Sequence, residues 1–121
     1  MLASPDATAP GLTPPVLLAG PLEIRPAEFQ VLAGGKRANL TVREFEVFLA
    51  LAEQRDCVVT REEVYRRVWH GQMARRDRSV DVFVRKLRHK LAETAPDWAF
   101  IHTHFGIGYR FSPEPSPANE R

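Results

Sequence analysis

Seven of the chain's 17 lysines and arginines fall in one short stretch, Arg75, Arg76, Arg78, Arg85, Lys86, Arg88 and Lys90, opposed only by Asp77 and Asp81. That stretch carries a surplus of five positive charges, the rest of the chain is net acidic, and the whole comes to +2. Guanidinium groups bind phosphates and the O6/N7 edge of guanine in bidentate fashion, and ammonium groups add point charge. A concentrated basic segment on a nearly neutral chain implies a directed contact with an anion, of which nucleic acid is the usual candidate. The plain alternative is a solvated charged face. How a fold would display these side chains separates the two.

On a helical wheel of about 100° per residue, Val80, Val84, Leu87 and Leu91 share one stripe. Arg78, Val82, Arg85, Lys86 and His89 fall opposite, with Asp81, Phe83 and Arg88 on the flanks. The pattern predicts a helix capped by Asp77 and running to about Glu93, apolar side inward. A major groove admits such a helix, and residues near its start reach deepest. Arg78, Ser79, Val82 and Lys86 are therefore candidates for base contacts, Val82 toward a thymine methyl group, while Arg85 and Arg88 are candidates for phosphates.

Other chemistries find less support. His102 and His104 share one face of a predicted strand and could be combined with His70 or His89, but no carboxylate or thiolate stands at ligand spacing, so surface histidines are the better reading and no metal is expected. Cys57 is the only cysteine, which excludes an internal disulfide and a finger-type zinc site, and it reads as a small buried apolar residue. Gly34-Gly35 lacks the Lys-Ser or Lys-Thr of a phosphate loop, and no Ser/His/Asp or paired-carboxylate pattern is present. The expectation is a non-enzyme without a cofactor. The first basic residue is Arg25 and the apolar runs, such as Val47 to Ala52, are short, so a cytoplasmic protein with no membrane partner and no small-molecule substrate is expected.

The elements that would position the basic helix follow from the remaining pattern. At 121 residues, 44% hydrophobic and 26% charged, the chain suits one globular domain. Residues 1–15 contain Pro5, Pro10, Pro14 and Pro15 and read as a disordered linker; the stretch 112–121, with Pro113, Pro115 and Pro117, reads as a disordered tail. Between them, residues 16–111 form the predicted domain. Four short apolar stretches up to Leu40, broken at Gly20-Pro21, Pro26 and Gly34-Gly35, predict an antiparallel meander. Thr41-Val42-Arg43-Glu44 is a capping box that opens a helix over 42–54, and Thr60-Arg61-Glu62-Glu63 is a second that opens a shorter helix ended by Gly71. Trp69 and Tyr109 read as core or hinge anchors. Ala99 to Phe111 alternates around Gly106 and Gly108 and predicts a hairpin. The fold class is α+β: a four-stranded antiparallel sheet, three helices and a C-terminal β-hairpin, the layout of a winged helix-turn-helix.

These residues resemble the OmpR/PhoB-type winged-helix effector domain of two-component response regulators. The likeness rests on Leu40-Thr41 with Glu44-Phe45, Val58 to Glu63 with Val68-Trp69, Arg78 to Leu91, and Ile101 to Phe111. It implies a transcription regulator whose third helix enters the major groove and whose hairpin is the wing. By position, the family's helix contacts fall on Arg78, Ser79, Asp81, Val82, Phe83, Arg85, Lys86 and Arg88, and its wing contacts on Thr103, Phe105, Gly106 and Tyr109. The family's polymerase-contact loop falls on Gly71, Gln72, Met73, Ala74, Arg75 and Arg76. Tandem binding of two copies to direct repeats of double-stranded DNA is also implied. Phe83 stands where the family often has histidine, and Phe105 where an arginine usually reaches into the minor groove, so the resemblance implies a weaker or apolar wing contact. The family's receiver domain has no room in this chain, which is expected to be either an effector domain from a longer regulator or a free-standing one. The competing function is a winged-helix protein-interaction module whose basic helix meets an acidic protein surface.

Overall fold

Turn chemistry and apolar alternation build the first layer of the computed structural model, which describes residues 15–116. Strands β1 (Leu17–Ala19), β2 (Leu22–Arg25), β3 (Gln30–Ala33) and β4 (Lys36–Ala38) form an antiparallel sheet in the order β1-β2-β3-β4. The expected meander is there. Gly34 and Gly35 both take positive φ, 58° and 81°, which lets β3 reverse directly into β4. Leu22, Ile24, Val31 and Ala33 turn inward, as the period of two requires.

Helix α1 (Val42–Ala52) begins at Thr41 with both halves of a capping box: the Glu44 N–H donates to the Thr41 hydroxyl at 3.2 Å and the Thr41 N–H donates to Glu44 Oε1 at 2.8 Å. Phe45, Phe48 and Leu51 on its inner face are fully buried. The Phe48 ring meets Phe111 edge-on at 5.3 Å. Strand β5 (Val58–Thr60) follows and then helix α2 (Arg61–Trp69). At α2 only half of the second box forms: the Glu63 N–H reaches Thr60 at 3.1 Å, but the Glu63 carboxylate turns to Arg66 and Arg67 instead of the Thr60 amide. The helix is ended by His70, not Gly71; His70 adopts the left-handed conformation at φ 58° and its N–H donates to the Arg66 carbonyl.

Helix α3 (Ser79–Thr94) starts two residues after Asp77, whose carboxylate accepts from the Ser79 N–H at 2.8 Å, and Arg78 itself holds the cap position. Its buried residues are Val80, Val84, Leu87 and Leu91, the stripe given by the wheel. Strands β6 (Trp98–His104) and β7 (Gly108–Pro115) make the hairpin, and β5 adds to it as a third strand in the order β5-β7-β6. Three further expectations need correction. Strand β5 is absent from the expected elements, because three residues are too few to show a period. Ser112 to Pro115 continue β7 where a tail was expected, because Trp98 and Ala99 pair with Pro115 and Glu114 and supply the ladder; Ser112 is buried. Cys57 is exposed at the entry to β5. The expected linker, apart from Pro15, and residues 117–121 of the expected tail lie outside the described residues.

Gly108 fixes the junction between the wing sheet and the helices. A Cβ there would sit 2.0 Å from the Val59 carbonyl oxygen and 2.8 Å from the Thr60 Cα, so only glycine lets β7 approach the strand that leads into α2.

Candidate nucleic-acid interface

The outward side of α3 divides by what its charged groups already touch. Arg78, Arg85 and Lys86 are exposed, and Val82 stands among them with 39% of its surface open. Ser79 is half-buried at the first turn. Lys86 is exposed while its Nζ lies over the Phe83 ring at 5.1 Å. Arg75 and Arg76, in the loop between α2 and α3, are exposed as well.

Other residues expected at the interface have internal partners. The Arg88 guanidinium donates to the Ile101 carbonyl at 2.9 and 3.0 Å and to the Thr103 hydroxyl at 2.6 Å, which ties α3 to β6. Asp81 accepts from Arg61 Nε at 2.7 Å and from the Tyr109 hydroxyl. Tyr109 is buried, and the guanidinium carbons of Arg61 and Arg88 lie 5.3 and 5.6 Å from its ring centre. Burial raises the Asp81 pKa, but the hydrogen bonds from Tyr109 and Arg61 and the charge of Arg61 outweigh it and hold the carboxyl below the usual carboxylate range. Burial and the Asp81 hydrogen bond push the Tyr109 phenol up. An aspartate so placed would repel phosphate if it faced DNA. Spent on Arg61 and Tyr109, it locks α2, α3 and β7 together instead.

Phe83 is likewise partly internal. Its ring meets Trp69 edge-on at 5.7 Å, and Trp69 stacks on Tyr65 at 4.9 Å. Arg43 lies 5.1 Å from the Trp69 ring centre and donates to the Val68 carbonyl at 3.0 Å. This ladder braces the angle between α2 and α3. The sequence reading missed Arg61, Arg43 and Tyr65 as positioning residues: each contributes to a contact across elements, and no local spacing signals such a contact. The apolar flank of α2 was visible, but not that it would meet Phe83.

At the wing, Thr103 is held by Arg88, while Phe105 and Gly106 form the exposed tip. His102 contacts the Ser112 carbonyl and His104 accepts from Arg110 Nε at 3.1 Å, so the two histidines have separate partners. Among the described residues, no three His, Cys, Asp or Glu side chains are grouped to hold a metal ion, and no helix is long and apolar enough to cross a membrane. The loop residues Gly71, Gln72 and Met73 border an open depression shared with Glu62 and Arg66.

Comparison with known proteins agrees with this architecture. Residues 35–111 match the family described as "Transcriptional regulatory protein, C terminal". The transcriptional regulatory protein SrrA of Staphylococcus aureus is 37% identical over 91 residues, which cover 74% of this chain and 38% of SrrA. The chain thus spans well under half the length of that curated relative. Among solved structures, the RstA DNA-binding domain of Klebsiella pneumoniae in complex with the RstA box superposes with a TM-score of 0.74 at 30% identity, covering 82% of this chain and 98% of that one. The DNA-binding domain of CpxR from E. coli gives 0.73 at 26% identity, covering 81% and 96%. The sheet, the three helices and the hairpin, together with the match over residues 35–111, establish that the chain belongs to the family of C-terminal domains of transcriptional regulatory proteins, the OmpR/PhoB-type winged-helix effector domains.

Proposed function

We propose that this domain is a sequence-specific, double-stranded DNA-binding transcription regulator that lays α3 in the major groove and its β6–β7 wing on the adjacent minor groove or backbone. The observation that carries it is the sorting of cations on α3. Arg78, Arg85 and Lys86 stand exposed around Val82; Arg88, exposed as well, and half-buried Lys90, farther along the same helix, donate instead to Ile101 with Thr103 and to Glu44. A fold that uses some cations internally and displays the rest on one apolar-centred face favours an anionic, grooved partner.

Arg78, Ser79, Val82 and Lys86 would meet base edges, and Arg85 a phosphate. Asp81, Phe83, Arg88, Thr103 and Tyr109 would act mainly by holding α3 and the wing in register. The binding unit is read as β1 through β7, residues 17–115. Residues 71–76 are exposed or half-buried beside α3 and remain available to a second protein, for which RNA polymerase is proposed. Two copies on a direct repeat are proposed as the bound form.

The test is a selection of bound sequences from a random duplex pool, preceded by titration of labelled random duplex at low salt. Binding at micromolar protein and recovery of a repeated half-site are expected. Absence of binding would reject the reading in favour of a protein-interaction module.

A further inference from the structure

The wing ends in an apolar point. His104 to Ile107 form a tight turn closed by the Ile107 N–H donating to the His104 carbonyl at 2.9 Å. Gly106 at φ 79° fits the third position of a type II turn, which puts Phe105 at the second position, on the apex. Phe105 is 90% exposed, the most exposed large apolar side chain among the described residues, and Ile107 beside it is 55% exposed. A Cβ added at Gly106 would meet nothing within 4 Å, so the apex stands clear of the domain.

No lysine or arginine lies in the tip turn to serve phosphate. Arg110, the arginine of the wing, is turned away, with Nε on His104 and Nη1 on the Ser112 hydroxyl at 2.7 Å. The base of the wing is fixed, in contrast, by Arg88 on Ile101 and Thr103 and by Gly108 against β5. A rigid hairpin with an exposed aromatic ring at its apex gains little from a phosphate surface. It gains from leaving water between stacked bases, where apolar side chains that enter the minor groove partly unstack a step and bend the duplex.

We propose that Phe105 is a wedge: with α3 in the major groove, its ring enters a base step of the neighbouring minor groove, and Ile107 covers the sugar edge beside it. The inference rests on the DNA-binding reading above. It makes Phe105 a specificity-determining residue that reads deformability, with a preference for flexible pyrimidine–purine steps, where unstacking costs least.

The test uses the full chain and an alternating TA duplex of about 30 base pairs, chosen for its flexible steps. One adenine is replaced by 2-aminopurine, whose fluorescence rises on unstacking, and the ends carry an energy-transfer pair. Wild-type binding is expected to raise the fluorescence and shorten the end-to-end distance. Phe105→Ala should bind about tenfold more weakly, lose both signals and keep the salt dependence, since no phosphate contact is removed. Phe105→Leu should keep most of each signal, because leucine also serves as a wedge. Phe105→Arg should lose the fluorescence rise and steepen the log–log salt slope by about one unit. Thermal melts check that the variants fold, as an apex side chain in open solvent predicts. Wild-type binding without a fluorescence rise overturns the wedge and leaves the DNA reading intact. So does Phe105→Ala behaving as wild type, or a loss confined to cooperativity on two-site duplexes, which would assign the tip to a second copy. Failure of the wild-type chain to bind the duplex at low salt overturns the DNA reading and the wedge with it.

Discussion

Arg85 and Lys86 differ from Arg88 and Lys90 in neither residue class nor element, yet they face different partners. The first pair projects from α3 into solvent. In the second, Arg88, although still exposed in part, donates to the backbone of β6, and Lys90 donates at 2.6 Å to Glu44, whose side chain is 4% exposed. A rotation of only about 40–60° around the helix therefore separates cations available to a ligand from cations that assemble the domain. The contrast shows that a run of positive charge is a pool from which the fold withdraws members wherever a buried acceptor must be satisfied. Only the remainder is left open to a ligand.

The largest expected effect lies on the structural side of this divide. Glu44 closes the capping box of α1 and accepts from Lys90, so Lys90→Met leaves a buried carboxylate without its counter-ion. A loss of about 2–3 kcal/mol in urea-unfolding free energy is expected, below the figure for a fully buried pair because Lys90 is partly exposed. The salt slope of DNA binding should stay within error of wild type; a slope falling by a full unit would put Lys90 on the interface after all. The same pair sets an acid response. Burial pushes the Glu44 pKa up, but the hydrogen bonds from Lys90 and the Thr41 amide prevail and the carboxyl lies below its ordinary value. With the folded pKa depressed, the stabilisation is complete above the ordinary glutamate range, about pH 4.3, and is lost as pH falls through the lower folded value. Asp81, also depressed, has the same sign. Glu44→Gln should flatten that acid limb of a stability–pH profile.

Next in size are two substitutions on opposite sides of the divide. Arg78→Ala should cost about 1–3 kcal/mol of preference at one base position of a selected site, with a smaller loss on random duplex. Equal losses on both would remove Arg78 from base reading. Arg88→Met should lower unfolding free energy by about 1 kcal/mol, as expected for hydrogen bonds from a partly solvated guanidinium to a backbone carbonyl and a hydroxyl. Its effect on DNA should appear as weaker binding without a change of salt slope, because it holds the wing and not a phosphate. A slope change would restore Arg88 to the phosphate contacts.

What was legible in the sequence had a period or a local signature. Val80, Val84, Leu87 and Leu91 gave the buried stripe of α3, Thr41 and Glu44 the start of α1, and Gly34-Gly35 the hairpin of the first sheet. Strand β5 has three residues and takes its identity from β7, which pairs with it across a long stretch of chain. The Thr60 box failed in its second half because Arg66 and Arg67, one turn on, competed for Glu63. Pro113 and Pro115 suggested a tail, yet proline is tolerated in a strand where no ladder donor is required of it. The candidate site was legible as a set of residues, but not in its division of roles. The wheel placed Asp81 and Arg88 on the flanks of α3 but could not show Arg61, Tyr109 or the Ile101 carbonyl waiting there.

The smallest expected effect bears most directly on the exposed side. No carboxylate of the described residues forms an ion pair with Arg85, so Arg85→Ala should change unfolding free energy by no more than about 0.5 kcal/mol, as for surface sites without partners. Binding to random and to selected duplexes should weaken alike, and the log–log salt slope should become shallower by about one unit, the signature of one lost phosphate contact. Paired with Lys90→Met, the result forms a two-way test on a single helix: one substitution moves stability and leaves the slope, the other moves the slope and leaves stability. If both moved both, the sorting of cations along α3 would not be the basis of the interface. A slope unchanged by Arg85→Ala would shift the phosphate contact to Lys86 or to Arg75 and Arg76 in the preceding loop, each of which can be replaced in the same assay.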